Sequence, residues 1–234
     1  MKLKSLREEV CQANIELSKQ GVVLYSFGNA SGIDREQGIV AIKPSGILYE
    51  DLKPENIVLV DLENKVVEGN LRPSSDTKTH TLLYREWDTI GGICHTHSTY
   101  ATAWAQARRP IPCLGTTHAD YLHGDVPCTS TMSKEQVSLD YEDETGKQIV
   151  TEFKNKDPRA LPMVLVAGHG PFTWGDNVKS AVHHAVVLEK LAHMAYLSST
   201  LSEGNPAILE QHILEKHYNR KHGPNAYYGQ KSLD

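Results

Sequence analysis

Two histidines one residue apart close an apolar run, Gly91-Gly92-Ile93-Cys94-His95-Thr96-His97-Ser98, and this pair constrains the chain more than any other feature. In a strand, side chains alternate faces, so His95 and His97 point the same way across about 6.5 Å of backbone. That spacing lets both imidazoles converge on one ion at metal–nitrogen distances of ~2.0–2.1 Å, whereas an i, i+2 pair on a helix faces apart. A second apolar run, Met163-Val164-Leu165-Val166-Ala167, ends in Gly168-His169-Gly170. Its glycines permit a sharp turn that leaves the imidazole where the strand stops. Three histidines at two strand ends are what a metal site with an open coordination position requires. Hydrogen-bonded loop histidines are the competing reading.

Other features narrow the class. With 234 residues, 39% hydrophobic and 23% charged, the chain is expected to form one domain, 1–234, that no linker divides. Residues 1–9 contain no apolar segment of a secretory signal, and no apolar run approaches the ~20 residues of a membrane-spanning helix. The expectation is a cytoplasmic protein with no membrane partner. Cys11, Cys94, Cys113 and Cys128 show no C-x-x-C spacing and read as reduced thiols. A net charge of -5 argues against nucleic-acid binding, but a few local donors suffice for an anionic small molecule. There is no G-x-G-x-x-G, no phosphate loop ending in Gly-Lys-Ser/Thr, no G-x-S-x-G and no H-E-x-x-H. Nucleotide binding and serine hydrolysis lose their support accordingly.

Along the chain, Leu3, Leu6, Val10, Ala13 and Leu17 predict a helix over 3–20, with Gly21 as its stop. Residues 22–27 read as a strand broken by Gly28-Asn29-Ala30-Ser31-Gly32, where small residues let the backbone approach a ligand or simply turn. A strand over 39–43 runs into Pro44-Ser45-Gly46. There Lys43, a hydroxyl and exposed amides either suit a phosphate or form an ordinary polar turn. Residues 57–62 and 65–68 pair as a hairpin around Glu63-Asn64. Residues 72–77 open a helix that continues to Trp87. Ser74, Ser75 or Asp76 makes its N-cap; alternatively the hydroxyl-lined helix start is an anion site, with Asp76 available as a carboxylate ligand.

Residues 99–107 read as a helix, and Asp120 follows in a loop as an acid/base, a cap or a surface charge. Residues 135–154 predict one solvated helix broken at Gly146, its cluster Asp140, Glu142, Asp143 and Glu144 exposed. A short strand at 172–174 precedes a long helix starting near Gly175-Asp176-Asn177, on which His183, His184 and His193 have packing or solvent roles. A last helix covers about 206–222. The paired tyrosines in the tail 225–230 are expected to pack on a neighbouring subunit or to close a site.

Taken together, the motifs G-N-A-S-G (28–32), K-P-S-G (43–46), P-S-S-D-T (73–77), G-G-I-C-H-T-H-S (91–98), G-T-T-H-A-D-Y (115–121), G-H-G-P-F (168–172) and K-H-Y-N-R-K-H-G…A-Y-Y-G-Q (216–230) resemble the L-ribulose-5-phosphate 4-epimerase family of the class II sugar-phosphate aldolase superfamily. The resemblance runs in order from the first helix to residue 230 and leaves 231–234 unmatched. It implies an α/β three-layer sandwich with a largely antiparallel central sheet flanked by helices. It also implies a homotetramer with sites at subunit interfaces, the tail 223–234 reaching towards a neighbour. The implied metal is Zn2+ or another divalent transition ion, one per subunit, held by Asp76, His95, His97 and His169. Gly28, Asn29, Lys43, Ser45, Gly46, Ser74 and Ser75 fall at substrate- and phosphate-binding positions. Asp120 and Tyr228 fall on the acid/base pair, the tyrosine coming from an adjacent subunit. Where the aldolases place a glutamate, this chain has Asp76, which favours the epimerase arrangement.

The implied chemistry is coherent. C4 of a 2-ketopentose phosphate is not adjacent to the carbonyl, so inversion proceeds by breaking and re-forming C3–C4, and a chelating metal stabilises the enediolate fragment. An aldolase that releases its fragments, or a related dehydratase, retains the same three histidines and is the enzymatic rival. A non-catalytic assembly module of this fold would lack the metal ligands. A histidine-rich metal-sensing protein would have no use for the serine-lined anion elements.

Overall fold

The computed structural model describes residues 1–229; Gln230, the last residue of the tail motif, and 231–234 lie outside them, as does the end of the expected 1–234 domain. Seven strands, β1 Asn29–Asp34, β2 Ile39–Ile42, β3 Val58–Asp61, β4 Val66–Glu68, β5 Gly92–His95, β6 Met163–Val166 and β7 Gly170–Gly175, form one sheet in the order β4-β3-β2-β1-β5-β7-β6. Every neighbouring pair of strands is antiparallel. The helices are α1 Lys4–Lys19, α2 Thr77–Glu86, α3 Thr99–Gln106, α4 Thr116–Ala119, α5 Lys134–Ser138, α6 Tyr141–Glu152, α7 Val178–Leu201 and α8 Gln211–His222.

Antiparallel sheets commonly leave one face to water and so alternate apolar with polar residues. This sheet does not, because helices cover both faces. Ile39 and Ala41 of β2, Leu59 of β3 and Cys94 of β5 pack with Val10, Leu17 and Val182 of α1 and α7. The residues between them, Val40, Val58, Val60 and Ile93, pack with Leu83, Tyr84, Ile149 and Phe153 of the α2 and α6 side. On β6 the same division sends Met163 and Leu165 towards α3 and the second half of α7, and Val164 and Val166 the other way. Each such side chain is worth about 1.5–3 kcal/mol when fully buried. The continuous apolar runs therefore report a three-layer sandwich.

Most expected elements form, with α1 ending where Gly21 takes a φ of 67°. The expected strand at 22–27 does not. Leu24, Tyr25 and Phe27 are exposed, and Tyr25 has a φ of 53°. The strand instead begins at Asn29, inside the glycine-rich stretch, because Asn14 of α1 clamps it there. The Asn14 amide accepts from the Ala30 N–H at 2.8 Å and donates to the Ala30 carbonyl at 2.9 Å. The expected single helix over 135–154 is two helices. It breaks at Leu139-Asp140, where Asp140 caps α6, and Gly146 lies within α6 packed on Leu82. Glu144 is buried rather than exposed, bonded by Lys147 and Gln136. The last helix starts at Gln211, later than the expected 206.

The first turn of α7 rides directly over β5. A Cβ at Gly92 would lie 2.3 Å from the Val178 nitrogen, so only glycine fits at this crossing. Gly92→Ala is expected to destabilise by about 3 kcal/mol or more, read as a lower urea midpoint at unchanged slope. Ala at Gly115, where an added Cβ meets nothing within 4 Å, should change stability by no more than about 0.5 kcal/mol.

Candidate metal and phosphate site

The sheet register brings the three histidines together. β5 places His95 opposite Asn29 of β1 on one side and Phe172 of β7 on the other. His97 follows two residues on, and His169 sits on the tight β6–β7 turn, where Gly168 has a φ of 75°. His95 Nε2 lies 3.0 Å from His97 Nε2, and the ligating nitrogens of His95, His97 and His169 all fall within 4.8 Å of one another. His95 Nδ1 is 2.9 Å from the Pro171 carbonyl oxygen, which can only accept. The proton therefore sits on Nδ1, and Nε2 offers its lone pair inward. Phe172 stacks under the His95 ring at 4.2 Å and fixes its plane. Burial pushes His169 down to about 3 and lowers His97, with His95 beside them adding to both shifts. Both imidazoles are thus neutral at pH 7, the state that ligates a metal. Two bonds of ~2.0–2.1 Å at a tetrahedral angle separate two ligand nitrogens by about 3.3 Å, close to the 3.0 Å between His95 Nε2 and His97 Nε2. The donor set fits a divalent transition cation with open positions.

Asp76, expected as a fourth ligand, occupies the N-cap position of α2 without capping the helix through its side chain. It lines the same cleft but does not belong to the group of three. Its Oδ2 accepts from the Asn29 amide at 2.6 Å, and that amide also donates to Ser74 Oγ at 3.0 Å. Burial alone would push the Asp76 carboxyl up; the facing His95 and His80 and the Asn29 bond outweigh it and leave the carboxyl below its ordinary value. Asn29 Oδ1 is buried with no partner among the described residues. An unsatisfied acceptor of this kind costs about 1–3 kcal/mol, and a hydroxyl donor from a ligand relieves it.

The cleft has a volume of about 480 Å³ and is lined by eleven of the thirteen residues expected at the site: Gly28, Asn29, Lys43, Ser45, Gly46, Ser74, Ser75, Asp76, His95, His97 and His169. Its anion side is built from two loops zipped together. The Ser45 N–H donates to the Arg72 carbonyl at 3.0 Å, the Ser74 N–H donates to the Lys43 carbonyl at 3.1 Å, and Pro44 bridges to Pro73. This places the hydroxyls of Ser45 and Ser74 on one wall. Lys43 is 1% exposed and has no carboxylate partner among the described residues; its ammonium donates to the carbonyls of Ser26 and Pro44 and lies over the Tyr49 ring. The Tyr49 hydroxyl in turn contacts the carbonyls of Phe27 and Gly28 at 2.8 and 2.9 Å, which fixes the loop that Gly28 turns. Gly28 has a φ of 77°, and a Cβ there would lie 2.8 Å from the His95 carbonyl oxygen.

Asp120 and Tyr228 are not in this cleft; α4, α8 and the described part of the tail contribute nothing to its lining. Both instead contact Arg220 of α8. Asp120 accepts from Arg220 Nη2 at 2.6 Å, from Arg220 Nε at 2.9 Å and from His217 at 3.1 Å. Burial alone would raise its carboxyl; the Arg220 and His217 bonds overcome that and hold it low. The Tyr228 ring lies over Arg220 and Lys221, and the N–H groups of Tyr227 and Tyr228 both donate to the Arg220 carbonyl. The described part of the tail thus folds back on α8 of its own chain, with both tyrosine rings exposed.

Sequence reasoning missed four contributors. Tyr141 and Glu142 line the cleft from the first turn of α6, and the Tyr141 hydroxyl is 3.4 Å from His169 Nδ1. The signal for them was Asp140 as an N-cap, which the single-helix reading of 135–154 obscured. Tyr49 and His80 support the site from behind, and no local pattern marks either. A larger groove of about 860 Å³ between α1 and the start of α7 is rimmed by Glu8, Glu9 and Glu16, a charge that repels an anion. The smaller, serine- and lysine-lined cleft is the one suited to a phosphate.

Burial lowers Lys43 to about 8 from an unfolded value of 10.5. Between those two pH values the unfolded chain binds a proton that the folded one lacks, so this group makes stability rise with pH across the window. Lys43→Met is expected to remove that rise and to increase the thermal midpoint at pH 7, while weakening inorganic phosphate about tenfold, a change of 1.4 kcal/mol. Thermal scans between pH 7 and 10 and phosphate titrations check both halves.

Three comparisons bear on what the cleft does. Residues 8–196 match the family described as the class II aldolase and adducin N-terminal domain. An L-ribulose-5-phosphate 4-epimerase (UlaF) of Salmonella paratyphi A is 50% identical over 230 residues, 98% of this chain and all of that protein. The protein of the same name from Salmonella paratyphi B is 50% identical over 231 residues with the same coverage. Among solved structures, an L-fuculose 1-phosphate aldolase superposes with a TM-score of 0.77 at 27% identity, covering 92% of this chain and 95% of that one.

Proposed function

This chain belongs to the class II aldolase and adducin family, and on that premise we propose that it is an L-ribulose-5-phosphate 4-epimerase, interconverting L-ribulose 5-phosphate and D-xylulose 5-phosphate. The observation that carries the reading is the convergence of three imidazoles within 4.8 Å in a cleft whose other wall is the zipped pair of serine loops. A sugar phosphate offers hydroxyl and carbonyl oxygens to the one and a phosphate to the other.

In this reading His95, His97 and His169, joined by Asp76, hold a zinc-type divalent cation, one per subunit. When bound, the cation supplies Lewis-acid polarisation of the substrate's carbonyl and adjacent hydroxyl oxygens. Lys43, Ser45, Ser74, Ser75 and the Gly46 amide take the phosphate, and Gly28 lets the backbone pass close beside it. The unpartnered Asn29 Oδ1 accepts a substrate hydroxyl. Cleavage of C3–C4 requires a base at the C4 hydroxyl, and re-formation requires an acid at the same oxygen after the aldehyde has rotated. Asp120 and Tyr228 supply these proton transfers, one on each face of the aldehyde. They lie together and outside their own chain's cleft, so both come from a neighbouring subunit of a homotetramer, not the tyrosine alone. The phosphate contacts keep the two-carbon fragment from leaving while it turns. No described helix is long and apolar enough to cross a membrane, and the reading involves neither a membrane nor a nucleic acid.

Incubating the zinc-loaded protein with L-ribulose 5-phosphate and following products by NMR tests this. D-xylulose 5-phosphate is expected, lost on chelation and reduced at least about a hundredfold in Asp120→Asn. Accumulation of free dihydroxyacetone and glycolaldehyde phosphate would make the protein an aldolase instead.

A further inference from the structure

Behind the cleft, on the α2 side of the sheet, lies a polar chain of three residues that the reaction as described does not use. His80 is fully buried, its Nδ1 2.7 Å from Ser31 Oγ, and Ser31 Oγ is 2.9 Å from the Tyr84 hydroxyl. Ser31 and Tyr84 are buried as well, and no water-exposed group joins them. The other ring nitrogen, His80 Nε2, is buried and has no partner among the described residues. Such an atom is among the costliest features a core can carry, and native structures contain few. Its neighbourhood suggests why this one persists. His80 follows Asp76 by four residues, so both side chains lie on one face of α2, one turn apart. Its ring also meets Phe172 edge-on at 6.0 Å, and Phe172 is the ring stacked under His95.

The tautomer follows from these contacts together with the nearby carboxylate. Tyr84 gives its proton to the Ser31 carbonyl at 3.1 Å, and the Ser31 hydroxyl can then donate to His80 Nδ1 or to the Tyr84 oxygen; the charge on Asp76 selects the first. The remaining proton of the neutral ring is then on Nε2. The opposite assignment would set a bare lone pair near the Asp76 carboxylate with no donor to meet it, which is electrostatically the worse arrangement. We propose that His80 is a positioning residue whose buried Nε2–H serves the carboxylate of Asp76, turning it from its Asn29 contact towards the three histidines when a metal binds. Tyr84 and Ser31 fix the ring that does this. The proposal rests on the reading of the cleft as a metal site. It assigns to His80 a share of metal retention, with no contact to substrate.

Asparagine keeps an amide near the Nδ1 position and loses Nε2; glutamine reaches the Nε2 position and loses the Ser31 bond. Zn2+ dissociation constants of the full chain, measured by competition with a chromophoric chelator, separate the two. Thermal midpoints of the metal-free proteins control for general damage. His80→Asn should weaken Zn2+ at least about tenfold and His80→Gln no more than about threefold. The loss in His80→Asn should disappear when Asp76→Asn is already present, because the group served is then gone. Ser31→Ala, which leaves His80 in place but unfixed, should weaken Zn2+ in the same direction and covers the case in which a His80 variant does not fold. Equal affinity in His80→Asn and the parent, an equal loss in His80→Gln, a loss that persists in the Asp76→Asn background, or unchanged affinity in Ser31→Ala would each overturn the proposal. Failure of the parent protein to bind Zn2+ would instead overturn the metal reading itself.

Discussion

The position of β5 in the sheet is the constraint on which everything else depends. As an interior strand between β1 and β7, it holds His95 opposite Asn29 on one side and Phe172 on the other. Those two pairings convert distant sequence motifs into one wall: Asn29 reaches Ser74 and Asp76, and Phe172 follows the turn that carries His169. A slip of one residue in either pairing would turn His95 to the opposite face of the sheet. The register is secured by packing from both sides, including the Gly92 crossing beneath α7. Fold stability and site geometry therefore have the same cause.

The same site is where the structure departs from good core practice. Of the four buried side-chain atoms without a partner among the described residues, Asn29 Oδ1 belongs to the cleft wall and His80 Nε2 lies directly behind it. Lys43 is a buried cation with no carboxylate among the described residues to balance it, lowered to about 8 by that burial. A chain selected only for stability would replace these groups with apolar ones of similar volume. In the proposed reading an anion at Lys43, a hydroxyl at Asn29 and a reoriented Asp76 at His80 satisfy them.

How much of this was legible in the sequence depended on whether the cause was local. The H-x-H strand end and the G-H-G turn declare themselves through period and glycine, and the serine loops through helix-start chemistry. The three-layer arrangement followed from resemblance, and the unbroken apolar runs of β2, β3 and β6 agree with it because both sheet faces are covered. The failures were tertiary in origin. Residues 22–27 are apolar enough for a strand, but Asn14 clamps Ala30, and the strand that starts there is already paired on both edges, with β2 and β5. The start of α6 was hidden because an acidic run resembles a solvated face, although Asp140 caps a helix that presents Tyr141 and Glu142 to the cleft. The association of Asp120 with Arg220 spans a hundred residues and leaves no periodic trace.

That association gives the account its sharpest consequence. Each chain carries the three-histidine, serine-lined cleft in one place and an Asp120–Arg220–Tyr228 cluster in another, so in the proposed reading neither alone has all the groups the reaction needs. The central claim is that the working centre is assembled from two subunits. Mixing His97→Asn protein, which lacks a cleft, with Asp120→Asn protein, which lacks the carboxylate, and allowing subunits to exchange tests it directly. Recovery of epimerase activity in the hybrids, from two parents that are each inactive, is the predicted result. Hybrid oligomers that form but remain as inactive as their parents would contradict the account.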